Sequence, residues 1–167
     1  ALKIDSRNPD ALYGLGSAYS KLERNDLAES TYLRAVSYRP SDWRAHKQLG
    51  LYYYEKGQYQ KAQESFRYVV ELTPDNAQGY NNLGVVQLRA GEVDAARKSF
   101  ERTVELDPRV SAITNLSSLE FRAGNYEKAI EWNRRALELN GKSYHAWGNI
   151  GSAYLRLGNT RAAEEAF

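Results

Sequence analysis

The chain has two imidazoles, His46 and His145, almost a hundred positions apart. Acid–base or metal chemistry needs several such groups in one place, and no His-x-x-x-His, His-Glu-x-x-His or Gly-x-Ser-x-Gly pattern supplies them. The absence of cysteine removes disulfides, thiolate metal sites and cysteine nucleophiles, while permitting any compartment. Gly14-Leu15-Gly16 falls inside a helical pattern rather than after a strand, so it does not form a phosphate loop. Glu64, Glu71 and Glu101 are expected on solvent faces. The segment is therefore expected to be non-catalytic, with no cofactor, metal or small-molecule substrate.

A different chemistry recurs along the chain. Asn82, Val85 and Arg89 are spaced i, i+3, i+7 and share one face of a helix. Asn115, Ser118 and Arg122 repeat the pattern, and so do Asn149, Ser152 and Arg156. Gly14, Ser17 and Lys21, then Gln48, Leu51 and Glu55, hold the same places earlier in the chain. An asparagine amide both donates and accepts, so it can grip a peptide backbone whatever the side chain. An arginine fork takes a carboxylate through two charge-assisted hydrogen bonds. These arginines also suit a helix C-terminus, where the dipole favours a cation, so the spacing alone leaves a solvated-charge reading open.

The elements that position these side chains follow from an internal repeat. Pro40, Pro74 and Pro108 are 34 residues apart. Leu15, Leu49, Leu83, Leu116 and Ile150 step by 34, 34, 33 and 34, and Ala28, Ala62, Ala96, Ala129 and Ala163 take the same steps. Tyr32, Phe66, Phe100, Asn133 and Phe167 form a third column. Gly57, Gly91, Gly124 and Gly158 form a fourth, with Glu23 at its head. Columns that share even a one-residue deletion between Pro108 and Leu116 define one repeating unit.

Each unit reads as two helices. In the third, Tyr80, Leu83, Gly84 and Gln87 give the first a helical stripe, and Ala90-Gly91-Glu92 is the turn. Ala96, Phe100, Val104 and Leu106 stripe a second helix from about Asp94 to Leu106, which Asp107-Pro108 ends. Neither helix is stable alone, so neighbours must share their apolar faces. The glycines inside first helices (Gly16, Gly50, Gly84 and Gly151) are expected where another helix packs too closely for a side chain. In the fourth unit Ser117 replaces that glycine, Glu120 replaces a tyrosine and Asn133 replaces the aromatic. His46 shares a column with Tyr80 and Trp147 and is expected to pack rather than to act as a base.

Trp147-x-x-Ile150-Gly151-x-x-Tyr154, Leu49-Gly50-x-x-Tyr53, Ala62-x-x-x-Phe66 and Pro74 together resemble the tetratricopeptide repeat, over essentially the whole chain. The resemblance implies an all-α, right-handed α-solenoid of helix–turn–helix repeats. The expected division is 1–8 as the end of a preceding repeat, 9–42, 43–76, 77–109 and 110–143 as repeats 1 to 4, and 144–167 as a partial fifth. It also implies that first helices line a concave groove that holds partner proteins as extended or helical segments. The candidate peptide-binding residues are then Asn82, Val85, Arg89, Asn115, Ser118, Arg122, Asn149, Ser152 and Arg156, with Lys47 and Tyr54 from the second unit. Lys47 and Asn82 resemble part of the clamp that holds heat-shock chaperone tails, but Leu51, Ser111 and Asn115 depart from it. The asparagine column is similar to that of O-linked N-acetylglucosamine transferase arrays, which suggests backbone gripping.

The expected partner is a protein or peptide, extended and acidic. Net charge is +2, from 23 basic and 21 acidic residues, which offers no general attraction to nucleic acid. No window approaches the apolar length of a membrane helix. Three alternatives remain in view. One is a scaffold that self-associates through ends without polar caps, another is a regulatory or substrate-recruiting arm of a larger enzyme, and the third is RNA binding, against which the balanced charge weighs.

Overall fold

A computed structural model describes residues 8–167, so the expected tail of a preceding repeat at 1–8 lies almost wholly outside the described residues. Among the described residues ten helices follow one another: α1 (Pro9–Lys21), α2 (Asn25–Tyr38), α3 (Trp43–Glu55), α4 (Tyr59–Leu72), α5 (Ala77–Arg89), α6 (Val93–Leu106), α7 (Val110–Arg122), α8 (Tyr126–Leu139), α9 (Tyr144–Arg156) and α10 (Thr160–Ala166). The odd-numbered helices are the first helices of the repeats. The architecture is an all-α helix–turn–helix array of the α-solenoid class. The chain divides into two compact units, Ala1–Ala90 and Gly91–Phe167.

The turn inside each repeat is set by one left-handed residue. Gly57, Gly91, Gly124 and Gly158 have φ of 70 to 83°. In α3 the Gly57 amide donates to the Tyr54 carbonyl (3.0 Å) and the Gln58 amide to the Tyr53 carbonyl (2.9 Å). This paired closure satisfies carbonyls that the helix end would otherwise leave open. Glu23 makes the same turn after α1 with φ 58°, without the freedom of glycine.

Second helices end differently. Arg39, Thr73 and Asp107 leave α2, α4 and α6 with φ between −139 and −151°, as expected for residues before Pro40, Pro74 and Pro108. Asn140 adopts the same conformation (φ −150°) with no proline after it. The one-residue deletion falls in the loop before α7. Asn8, Asp42, Asn76 and Ser143 each cap the following first helix with a side-chain acceptor, whereas Arg109 makes no such bond to α7.

In the first unit, Ala28 and Ala62 are 0% exposed and let the helix pairs approach. Tyr32 and Phe66 lie on the interior glycines. A Cβ built on Gly16 would sit 2.8 Å from the Tyr32 ring, and one on Gly50 would sit 3.0 Å from the Phe66 ring. Leu49, Tyr52, Tyr53, Val69, Leu83 and Val86 join them in one core. His46 packs as expected: it is buried, stacks on Tyr68 at 4.8 Å, and its Nε2 lies 2.8 Å from the Pro40 carbonyl. A carbonyl only accepts, so Nε2 is the donor.

The second unit repeats the plan with Ala96, Ala129 and Ala163 buried to 0–1% exposure. Ile130, Ile150, Ala153 and Ala166 form a core with Phe121, Tyr126, Leu137 and Tyr154 packed on it. A Cβ on Gly151 would lie 2.8 Å from the Phe167 ring. α6 begins one residue earlier than the sequence pattern suggests. Its buried stripe is Ala96, Ser99, Phe100, Thr103 and Val104, while Leu106 is only partly covered.

Successive repeats are joined through a column of side-chain pairs. The Tyr53 hydroxyl donates to Glu29 Oε1 (2.8 Å), and Lys61 Nζ donates to the same oxygen (2.9 Å), holding the Glu29 carboxyl below its ordinary pKa. The equivalent pair in the second unit is Arg97 Nε to Glu120 Oε1 at 2.6 Å. Asn125 Nδ2 donates to the other Glu120 oxygen (2.6 Å), and Arg97 also reaches Asp94 (2.6 Å). One repeat further on the equivalent residues are Ile130 and Tyr154, which share an apolar cluster.

Three stability outcomes follow from these contacts. Glu23→Gly is expected to raise the urea midpoint by the equivalent of about 1 kcal/mol, and Gly57→Ala to lower it by a similar amount. Gly50→Leu forces the Phe66 ring aside and is expected to cost about 2–3 kcal/mol; thermal melts of Gly50→Leu with and without Phe66→Ala check whether that ring is the cause. Arg97→Ala leaves the Glu120 side chain, 2% exposed, without its cation. It is expected to cost about 3 kcal/mol, more than the double change Arg97→Ala/Glu120→Leu. Chemical denaturation of the two variants gives the comparison.

Candidate interaction site

The arginines expected at the site are the last residues of first helices: Arg89 of α5, Arg122 of α7 and Arg156 of α9. The helix dipole favours a cation there regardless of any ligand. What surrounds each one therefore decides its role.

In the first unit, Arg89 is hydrogen-bonded to Tyr54, which raises its pKa from the ordinary value. The Tyr54 ring in turn lies 5.9 Å from that of Tyr59. Two of the expected residues thus meet. Asn82 Oδ1 accepts from Gln78 Nε2 of its own helix at 3.0 Å, and Val85 is half-buried beside it. Lys47 Nζ lies 5.4 Å from the centre of the Trp43 ring, a cation–π contact on α3.

In the second unit the expected residues converge. Ser118 and Arg122 of α7 and Asn149 and Ser152 of α9 line a cavity of about 250 Å³, with the Phe121 ring as its apolar wall. Its floor comes from Ser117 of α7 and Asn133 of α8. These are the two departures from the glycine and aromatic columns. Both are buried, Ser117 to 1% and Asn133 to 0% exposure, and they satisfy one another. Asn133 Nδ2 donates to Ser117 Oγ and to the Ala129 carbonyl (2.8 Å), and Ser117 Oγ donates to the same carbonyl (3.1 Å). Asn149 Nδ2 donates to Asn133 Oδ1 across 3.4 Å, which ties an expected binding residue to the floor. Ser152 Oγ donates to Gly148 O (2.8 Å).

Asn115 is half-buried on α7 and Arg156 is exposed at the end of α9; neither lines the cavity. Sequence reasoning missed Asn133 and Ser117 as parts of the site. The signal was present, since Ser117 and Asn133 break two columns within one repeat. A break in a core column reads as irregular packing until the contact between the columns is known.

The tetratricopeptide repeat model matches residues 13–77, 47–111, 81–144 and 114–167. The chain belongs to the tetratricopeptide repeat family. Among solved structures, a crystal structure of MamA matches with TM-score 0.83 and 24% identity over 95% of this chain and 87% of that one. YrrB, described as a tetratricopeptide repeat protein with an unusual peptide-binding site, matches with TM-score 0.76 and 20% identity over 97% and 84%. Pseudomonas aeruginosa PilF matches with TM-score 0.77 and 20% identity over 99% and 76%. No curated protein matches the chain. The family is one of protein-interaction scaffolds. Among the described residues no helix is long and apolar enough to cross a membrane, and no three His, Cys, Asp or Glu side chains are grouped to hold a metal.

Proposed function

We propose that the chain holds an extended, acidic segment of a partner protein along the first helices of its second unit. The observation that carries this reading is the cavity of about 250 Å³ on which Ser118, Arg122, Asn149 and Ser152 converge. Asn149 keeps an amide hydrogen beyond its bond to Asn133, suited to a partner's backbone, and Asn115 holds the same place on the preceding first helix. Arg122 and Arg156 stand one repeat apart at the helix ends, and each can take a carboxylate by two parallel hydrogen bonds. Phe121 adds apolar contact beside them. Asn82, Val85 and Arg89, with Lys47 and Tyr54, place similar groups on the first helices of the first unit and form a candidate surface within that unit. The fold shared with YrrB is compatible with peptide binding, and the residues named here are the reason to expect it. A peptide-library capture compares the wild type with Arg122→Ala/Arg156→Ala. Loss of one charge-assisted pair removes about 1.5–3 kcal/mol, so the variant is expected to bind acidic peptides at least about tenfold more weakly. Equal capture by both would overturn the proposal.

A further inference from the structure

The cavity of the second unit exists because one repeat departs from two columns at once. In the first, second and fifth repeats a Tyr or Phe ring covers the interior glycine of its own first helix. In the fourth, Asn133 and Ser117 take the places of ring and glycine, and the shorter amide leaves the space above it open toward α7 and α9. The volume lies below the roughly 300–1,000 Å³ of sites that take drug-sized ligands. It is suited to a single small polar group rather than a whole ligand.

The groups facing the cavity define what that group is. Both Asn133 amide hydrogens are committed, to Ser117 Oγ and to the Ala129 carbonyl. Asn149 uses one amide hydrogen on Asn133 and keeps the other. Arg122, at the mouth, takes part in none of the ion pairs formed among the described residues. No carboxylate stands among the described residues that line the cavity. A cation, an amide donor and the Ser118 hydroxyl therefore face a space with no acid of its own. Ser152 Oγ, whose hydrogen goes to Gly148 O, is left to accept an N–H from a ligand backbone.

We propose that this cavity is a specificity pocket for one carboxylate, admitted because Asn133 and Ser117 replace the ring and glycine found elsewhere in the array. The inference deepens the peptide-holding reading and rests on it: the first helices hold the segment, and the pocket selects one residue of it. The carboxylate comes from an aspartate or glutamate side chain or from a chain terminus, and Arg122 and Asn149 bind its oxygens.

Capped amino acids separate these sources by NMR titration of the whole chain. The probes are N-acetyl-aspartate N-methylamide, N-acetyl-glycine with its free carboxylate, and N-acetyl-asparagine N-methylamide as the neutral control. The expected result is saturable shifts at Ser118, Arg122 and Asn149 with one carboxylate probe, at least about tenfold tighter than with the asparagine probe. Which carboxylate probe binds identifies the source. The variant Ser117→Gly/Asn133→Phe restores the ring-on-glycine contact and is expected to stay folded while losing that preference. Arg122→Met, an exposed change that leaves the floor intact, is expected to lose it too. Equal binding of the aspartate and asparagine probes, or an undiminished preference in both variants, would overturn the pocket. The peptide capture described above distinguishes the two readings. A wild type that captures acidic peptides through Arg122 and Arg156 while no capped carboxylate is preferred at the cavity sinks the pocket alone, whereas capped carboxylates that bind where no peptide is captured sink the extended-segment reading.

Discussion

Everything in this array depends on how closely two helices of one repeat can approach. The limit is set where an aromatic ring of the second helix lies flat on a glycine of the first. At Gly16 and Gly151 the ring leaves no room even for a methyl group, and at Gly50 a methyl would fit only if the ring gave way slightly. Glycine inside a helix weakens it by roughly 0.5–1 kcal/mol relative to alanine, and burial of the ring offsets this by bringing whole helix faces together. The alanine column, exposed to 0–1% from Ala28 to Ala163, belongs to the same constraint. Small residues at one level and a ring at the next let the two helices meet closely in the repeats that carry both.

The fourth repeat gives up this core contact and gains an open space in its place. Replacing ring and glycine by Asn133 and Ser117 exchanges dispersion for hydrogen bonds, and both buried groups are satisfied by each other and by the Ala129 carbonyl. A buried polar group left without partners would be far more costly. The substitution is tolerable only as a pair, and the space it opens is lined by Ser118, Arg122, Asn149 and Ser152.

The sequence made the repeat visible because the columns are set by contacts inside each unit, which recur at a constant spacing. The register, the turn residues and the close approach at the interior glycines could all be read from it, whereas the ring that makes that approach could not. Even Glu23 could be placed in its turn by its column, although its left-handed backbone needed the structure. The asparagine and arginine spacing was legible in the same way. The cavity was not, because it depends on Asn133, Ser117 and Asn149 meeting from three different helices. Nor was the Arg97–Glu120 pair, whose members stand 23 positions apart on neighbouring repeats. Contacts between repeats are free to change chemistry from one junction to the next, so periodicity does not reveal them.

That freedom bears on how such an array can change over generations. Repeats of nearly equal length invite unequal recombination, which deletes or duplicates a unit without breaking the helical register. The junctions here discriminate between the products. Duplicating α7 and α8 would set Ile130 against a second Glu120, a carboxylate in a dry seam with no cation to meet it. Removing one unit after Arg97 would set it against Tyr154, whose hydroxyl can still accept from a guanidinium. Loss of a repeat at this junction is thus the milder accident, and the order of units is guarded most strongly against expansion.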